Sequence, residues 1–266
     1  MTAAPRANGT LVSRNRALFV NFFRRELRSR YLGSTSALLW AFAQPLMMLA
    51  VYYFVFTRVF RAAAFDGKSF LLFVAVALWP WLAAQDSLVR ATVAIPAYGA
   101  LIRKVAFPHE LAIYASVAAV FALQFVGYLV VLLVLAAFGE PVRFEGLVLA
   151  LPIWAILGIG VTGIALALSA LQVFVRDVEH ILAPLLTVLM YLTPILYPLA
   201  LVPEGVRPWV AANPFGWLVL RLRDALLDGR IAPRLGDVAA LAVAIALFVT
   251  GRWVFRRLSP YFEDFV

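Results

Sequence analysis

The sequence predicts an all-α integral membrane protein with six transmembrane helices, an N-terminal amphipathic interface helix and outer re-entrant helices between spans five and six. Hydrophobic residues make up 64% of the 266 residues and charged residues only 14%, against about 45–50% and about 25% in soluble domains. The mean hydropathy is +0.93, so we expect much of the apolar surface to face lipid. The sequence contains no cysteine, which excludes disulfides and thiolate metal sites.

Six segments meet or approach the roughly 20 apolar residues that a helix needs to cross a bilayer. The predicted spans are residues 36–56, 70–88, 111–138, 147–175, 181–202 and 238–256. The fifth contains three prolines, and the sixth reaches full length only if arginine side chains extend from its end to the interface. We therefore expect one membrane domain over residues 1–266, with both chain ends on the same side.

The distribution of basic residues predicts which side that is. Arginine and lysine concentrate before the first span, in the loop after the second span and in the C-terminal tail. The positive-inside rule therefore places both termini in the cytoplasm. We attribute the net charge of +9 to this orientation and to contact with anionic membrane lipids, and we expect no nucleic acid partner.

Residues 14–32 predict a helix that lies along the cytoplasmic membrane surface. Apolar residues recur at helical spacing on one face and arginines fill the other. The side chains that define the two faces are Phe19, Phe22, Phe23, Arg24, Arg25 and Arg28. A plain membrane anchor and a docking element for a partner protein both fit this pattern.

Two cytoplasmic loops are candidates for contact with a partner. In residues 101–110, apolar side chains alternate with Arg103 and Lys104 before Pro108 stops the segment, which predicts a short helix with a mixed apolar and basic face. A basic loop that touches lipid headgroups is the alternative. The short sequence RDVEH at residues 176–180 is a possible second contact on the same side.

The outer segment from Tyr191 to Asp237 is not an ordinary loop. Pro194 and two further prolines break the fifth helix near its outer end, and Asn213 is a helix cap before Pro214. Residues 215–227 then predict an amphipathic helix that is too short to span the membrane. Its opposed faces are Leu218, Leu222, Ala225 and Leu226 on one side and Arg221, Arg223 and Asp224 on the other.

The spans contain almost no side chain suited to catalysis or to proton transfer. Buried acidic or histidine relays, clustered metal ligands and a phosphate-binding loop are all absent from the sequence. This disfavours a secondary carrier that acts alone and a membrane-bound glycan-transferring enzyme. Aromatic residues remain in the spans. One group shares a face of the first span, and two more lie near the break in the fifth. These residues either pack in the bundle or line a path for sugar rings. They are Phe42, Tyr53, Phe56, Phe60, Tyr191 and Tyr197.

Residues 28–60 resemble the opening of the permease subunits of type-2 ABC transporters that export polysaccharides such as O-antigen, capsule and teichoic acid. The residues that carry this resemblance are Arg30, Tyr31, Leu39, Trp40, Gln44 and Pro45. The segments LIRKVAFPHE at 101–110, RDVEH at 176–180, NPFGWLVLRLRDALLDG at 213–229 and PYFEDFV at the end are similar to later parts of the same family. The resemblance thus extends over residues 14–266.

The resemblance implies a homodimer in a bacterial inner membrane that carries two copies of a separate ABC ATPase subunit and exports a lipid-linked polysaccharide. ATP and Mg would bind the partner, so this chain would be neither an enzyme nor the holder of a cofactor. The outer helices from Tyr197 to Arg230 would gate the exit. The implied ATPase-coupling residues are Leu101, Ile102, Arg103, Lys104, Val105, Phe107, Pro108, His109, Glu110, Arg176, Asp177 and Glu179.

The substrate is implied less closely than the assembly. A related branch of six-span ABC permeases exports lipids or drugs, which keeps that alternative open. Polymers of polyol phosphate would suit the basic residues Arg221, Arg223 and Arg230 of the outer segment.

Overall fold

The computed structural model describes residues 11–31, 35–59, 69–104 and 107–265, and all regular structure in these residues is helical. The predicted all-α class is therefore confirmed. The helices are α1 (Leu11–Tyr31), α2 (Thr35–Tyr53, continued as a π-helix over Phe54–Val59), α3 (Phe70–Ala97), α4 (Gly99–Ile102), α5 (Glu110–Ala137), α6 (Leu147–Phe174), α7 (Val178–Leu192), α8 (Arg207–Ala212), α9 (Pro214–Asp228), α10 (Leu235–Leu258) and α11 (Phe262–Phe265).

Four helices among the described residues are long and apolar enough to cross a membrane. They comprise Phe70–Ala97, Glu110–Ala137, Phe144–Phe174 and Leu235–Phe265. The other two predicted spans fall on α2, which is followed by undescribed residues, and on α7, which has only 15 residues. Helix α3 is the most enclosed, because it packs against both α5 and α6, and α10 lies against α6.

Helix α3 continues beyond the predicted end of the second span at residue 88 and reaches Ala97. The extension carries Arg90, whose Nε donates to Oδ1 of Asp86 at 2.8 Å one turn earlier. The local ion pair lets the helix continue through two charged positions that the hydropathy pattern marks as a boundary.

Helices α6 and α10 come into backbone contact through two glycines. A Cβ atom added to Gly163 would collide with the backbone of Leu247 and Phe248, and one added to Gly251 would collide with the carbonyl of Gly163. Only glycine permits this approach, which sets the spacing of the two helices.

The two ends of the described chain meet at one end of the bundle. Phe22 of α1 packs on Phe107, and Phe262 of α11 packs on His109, so both termini lie beside the segment that joins α4 to α5. We call this the terminal end, formed by α1, residues 98–110, 174–180 and 255–265. The far end comprises residues 138–146 and 193–237.

Helix α9 of the far end begins and ends as its sequence predicts. Asn213 caps it by accepting a hydrogen bond from the Phe215 N–H at 3.0 Å, and Gly229, with φ +68°, terminates it. The Phe215 ring contacts Trp81 at 5.0 Å, about 16 Å along α3 from Phe70. At the other end of α9, the carbonyl of Leu226 accepts from the Arg143 N–H at 2.8 Å.

The prediction that Arg221 and Arg223 lie on a polar face of this helix is wrong, because both side chains are buried. Arg223 donates to three backbone carbonyls, those of Phe73 at 3.2 Å, Pro194 at 2.6 Å and Ile195 at 2.6 Å. The break after α7 leaves carbonyls without helical partners, and a buried guanidinium supplies the missing donors.

Arg221 is held by a carboxylate instead. It donates through Nε to Oδ1 of Asp237 at 2.8 Å and through Nη2 to Oδ2 at 3.1 Å, and the Ala232 carbonyl accepts a further bond at 2.8 Å. The indole N–H of Trp217 also donates to Asp237, at 3.1 Å. These contacts fasten α9 to the start of α10.

Candidate functional site

The predicted coupling segment lies at the terminal end and combines buried anchors with an exposed basic tip. Ile102 and Phe107 are buried, whereas Arg103, Lys104 and Pro108 are exposed. Leu101 is half-buried, and Val105 lies outside the described residues. The apolar side chains therefore hold the segment on the bundle and leave the two charges free for a partner.

Helix α1, which the sequence predicts to lie along the membrane surface, is fastened to this segment by aromatic contacts. The Phe22 ring meets Tyr98 edge-on at 5.0 Å and Phe107 at 5.4 Å, and the Arg25 guanidinium lies 4.7 Å from the centre of the Tyr98 ring. The Tyr98 hydroxyl donates to Oε1 of Glu26 at 3.1 Å. These contacts make α1 part of the same structural unit as the coupling segment.

The remaining predicted residues of α1 divide as an amphipathic helix requires. Phe19 and Phe23 are half-buried and stack on each other at 6.2 Å. The three arginines, Arg24, Arg25 and Arg28, are exposed. The exposed guanidinium groups of α1 and of the coupling segment give the terminal end a basic surface.

The C-terminal tail joins the coupling segment to the end of α6. Phe262 is fully buried and packs on His109 at 6.0 Å, on Phe255 at 5.3 Å and on Phe174 at 6.2 Å. Phe265 then contacts Phe174 at 4.9 Å. This packing role of the tail was not predicted, although its three aromatic residues in five positions are a signal for packing.

His109 belongs to this aromatic group and not to the exposed surface. Its ring contacts Phe107 at 5.1 Å as well as Phe262. Burial lowers the pKa of His109, and the carboxylate of Glu263 opposes that shift. The imidazole is therefore uncharged at neutral pH and packs as an aromatic ring.

The second predicted contact, residues 176–180, is held by one glutamine of α6. Nε2 of Gln172 donates to the Arg176 carbonyl at 3.1 Å, and Oε1 accepts from the Glu179 N–H at 3.0 Å. The side chains of Arg176, Asp177 and Glu179 are all exposed. A buried amide thus shapes the turn while its charges remain available to a partner.

Glu110, predicted to couple to the partner, instead faces the bundle. Its carboxylate is 13% exposed and accepts hydrogen bonds from Tyr114 at 2.9 Å, from Arg252 at 3.1 Å and from Arg256 at 2.6 Å. The group ties the start of α5 to the end of α10. No local pattern reveals it, because the two arginines are 142 and 146 residues away.

The predicted channel residues are only partly brought together. Tyr53 and Tyr191 are exposed, and the Tyr197 hydroxyl donates to the Tyr191 carbonyl at 2.8 Å. Phe56 stacks on Phe70 at 5.0 Å and so packs against α3. Phe60 and the side chain of Phe42 lie outside the described residues.

An additional tyrosine joins this set. Tyr52 of α2 interacts through its hydroxyl with Tyr191, so α2 and the end of α7 are neighbours. The apolar faces of the two helices are also exposed, with Val51 at 58% and Val188 at 55%. This side of the chain presents aromatic hydroxyls within a broad apolar surface.

Known proteins are similar in sequence to this chain over nearly its whole length. The profile of the ABC-2 type transporter family matches residues 17–227. The O-antigen export system permease protein RfbA of Myxococcus xanthus is 30% identical over 253 residues, which cover 94% of this chain and 95% of that protein. Two proteins of the same name from Klebsiella pneumoniae are each 27% identical over 249 residues, or 93% of this chain and 94% of each relative.

The family profile covers well over half of the chain, and the described helices include several that are long enough to cross a membrane. The protein is thus a multi-pass membrane protein of a transporter family. The chain belongs to the ABC-2 type transporter family.

Proposed function

We propose that the chain is the transmembrane subunit of an ATP-driven exporter that moves a lipid-linked polysaccharide from the cytoplasmic side to the outside of a bacterial inner membrane. The observation that carries this proposal is the similarity, over 94% of the chain, to a permease named for O-antigen export. Because the similarity extends over nearly the whole chain, we propose that this chain exports the same class of substrate as that permease.

In this proposal the terminal end faces the cytoplasm and binds the ATPase subunits. Its exposed charges, including Arg103, Lys104 and Arg176, project from segments that buried aromatic residues and Gln172 hold in place. A surface of this kind transmits movement, because a partner that displaces the coupling segment also displaces α1 and α5. ATP and Mg bind the partner, and this chain requires no cofactor of its own.

Two copies of the chain are proposed to meet along α2 and α7. These helices expose apolar residues that a second copy can cover, and the tyrosines beside them supply the hydroxyl-bearing rings that suit a sugar chain. Tyr53, Tyr191 and Tyr197 would then line the path between the two subunits. Phe56 supports this wall from behind by packing on Phe70.

The segment from Pro194 to Asp228 is proposed to re-enter the membrane from the outside. Two observations support this proposal. Phe215 contacts Trp81, which lies well inside the span of α3, and the buried Arg223 donates to the carbonyls of Pro194 and Ile195, where the helix is broken. Irregular backbone at membrane depth survives only where protein or water satisfies it. Helices α2 and α7 complete the six proposed spans, and α9 would sit beside the exit of the path.

Co-expression with the ABC ATPase subunit encoded beside it tests the assembly. The complex is purified through a tag on this chain, and subunit ratio and ATP hydrolysis are measured with and without lipid-linked glycan. We expect two copies of each subunit and an ATPase rate that changes with the glycan. Failure of any ATPase to co-purify would reject the assembly, and a response to lipid or drug without a response to glycan would reassign the substrate.

A tyrosine pair tests the path. Replacing Tyr53 and Tyr191 with alanine is expected to slow polymer export while the ATPase rate of the complex is unchanged, since neither side chain is buried. Phe56→Ala is the matched control, because its loss removes packing and lowers both activities together. An equal loss of both activities in the tyrosine variant would show that those residues pack and do not line a path.

A further inference from the structure

An open groove of about 410 Å³ lies between α1, α5, α6 and α10. Its walls are apolar and largely aromatic. They include Phe19, Tyr114, Phe121, Trp154, Gly158 and Phe248. Among its lining residues, the Thr162 hydroxyl donates to the Gly158 carbonyl at 2.6 Å.

The groove leads into the ionic group of Glu110 at the terminal end. Tyr114, which lines the groove, donates its hydroxyl to Glu110. On α10, Phe248 lines the groove, and Arg252 and Arg256 follow at successive intervals of four residues, so all three lie along one helix face. The apolar walls of the groove therefore continue directly into two guanidinium groups.

This ionic group carries an excess of positive charge. One carboxylate faces two guanidinium groups, and each arginine binds Glu110 through Nε. The arginine side chains remain 40% and 61% exposed, whereas Glu110 is 13% exposed. The Nη atoms can thus donate to an anion at the membrane surface, and a phosphate matches their geometry.

The dimensions of the groove match one leaflet of a bilayer. From Glu110 to Phe121, α5 rises about 16 Å, and half of the hydrocarbon core is about 15 Å. Exposed Trp253 lies at the level of the two arginines, with the Arg257 guanidinium 5.9 Å from its ring centre, as expected for residues at a membrane interface.

We propose that this groove binds one anionic phospholipid of the leaflet at the terminal end. The phosphate lies at Arg252 and Arg256, and an acyl chain runs between Tyr114, Phe121, Trp154 and Phe248. A polyprenyl carrier would extend well past the depth of one leaflet, so the groove suits an ordinary membrane lipid. Because Phe19 of α1 forms one wall, the bound lipid would hold the interface helix against α5 and α10.

Native mass spectrometry of the delipidated full-length chain tests the headgroup. The chain is titrated with phosphatidylglycerol or with phosphatidylcholine of the same acyl chains. We expect phosphatidylglycerol to bind at least about tenfold more tightly. Replacing Arg252 and Arg256 with glutamine is expected to remove this preference, whereas Arg257→Gln, on the same helix but outside the ionic group, retains it.

A second pair of variants tests the groove itself. A Cβ atom at Gly158 would lie 3.5 Å from the Phe121 ring, which is an ordinary contact. Gly158→Ala is therefore expected to bind the lipid as the original chain does, and Gly158→Leu to fill the groove and lose it. Thermal unfolding in detergent verifies that each variant folds.

Three results would overturn the assignment. Equal affinity of the unaltered chain for the two phospholipids would remove the phosphate site, and this comparison needs no variant. A loss in Arg257→Gln as large as in the double variant would reduce the effect to general surface charge. Tighter binding of a polyprenyl phosphate than of phosphatidylglycerol would assign the groove to the carrier lipid.

Discussion

The two ends of the helix bundle use basic side chains in opposite ways. At the terminal end, Arg103 and Lys104 are exposed, and buried aromatic rings hold the structure together. At the far end, Arg221 and Arg223 are buried and themselves hold the structure together. The difference follows from the backbone, because the carbonyls of the break after α7 at the far end receive their donors from Arg223, whereas a neutral amide, that of Gln172, bonds the backbone of the turn at residues 176–180.

This contrast separates charges that stabilise from charges that are available to a partner. Removing a buried guanidinium leaves unpaired every bonded carbonyl that has no helical N–H partner. An exposed one contributes little to stability because water replaces it. The variants below are ordered by their expected effect on the stability of the folded chain.

Arg223→Leu is expected to have the largest effect. It removes the donors for the carbonyls of Pro194 and Ile195, which lie outside any helix, and each unpaired buried group costs about 1–3 kcal/mol. We therefore expect a loss of about 5 kcal/mol, measured as a strongly reduced midpoint of thermal unfolding in detergent. Arg230→Leu, at an exposed position just after α9, is the control and changes the midpoint little. Equal behaviour of the two variants would mean that Arg223 does not hold the break.

Gly163→Ala is expected to come second, at about 3 kcal/mol, because overpacking forces the backbones of α6 and α10 apart. Gly160→Ala is a matched control one turn away, where the new Cβ would meet the Ala244 Cβ at an ordinary 3.5 Å. Unfolding midpoints of the two variants, measured side by side, check the difference. A Gly163→Ala variant as stable as Gly160→Ala would show that the helices adjust their spacing freely.

Phe262→Ala is expected to cost about 3 kcal/mol through the cavity it leaves. Because Phe262 joins His109, Phe174 and Phe255, its loss also loosens both loops of the terminal end. Tyr261→Ala, at a residue that is 57% exposed, is the control. Hydrogen exchange of residues 98–110 is expected to increase in the first variant only. Unchanged exchange would show that the tail is not part of the coupling unit.

Local patterns predicted much of this molecule. The periodicity of Phe19, Phe22 and Phe23 predicted α1, and the Asn213–Pro214 pair predicted the start of α9, because helical faces and caps depend on residues a few positions apart. Gln172 was visible as a polar residue in a span. Its position four residues before Arg176 is a local signal that it holds the turn.

The roles of Glu110 and Arg223 were not predictable in this way. Glu110 meets arginines of α10, and Arg223 meets carbonyls 28, 29 and 150 residues away along the chain. A charged residue on an amphipathic pattern is normally solvated, and its burial depends on acceptors that only the folded chain brings to it. The same reasoning explains why the amphipathic pattern predicts Arg221 and Arg223 on the polar face of α9.

Replacing Arg103 and Lys104 together with glutamate is expected to change stability least and function most. Both side chains are exposed at the tip of the coupling segment, so we expect the unfolding midpoint to shift by no more than the equivalent of about 0.5 kcal/mol. The reversal of two charges is nevertheless expected to abolish association with the ATPase, measured by co-purification. Arg230→Glu is the control, since it reverses an exposed charge at the far end and leaves association intact.

Two outcomes would contradict this prediction. Full ATPase binding and export in the double variant would show that this basic tip contacts lipid headgroups instead of a partner. An equal loss of association in Arg230→Glu would show that the partner responds to overall charge. A charge that is exposed in the isolated chain and bound in the complex has a small effect on folding and a large effect on assembly. Either contrary result would therefore mean that the exposed charges of the terminal end do not serve a partner, in contrast to the buried charges that stabilise the far end.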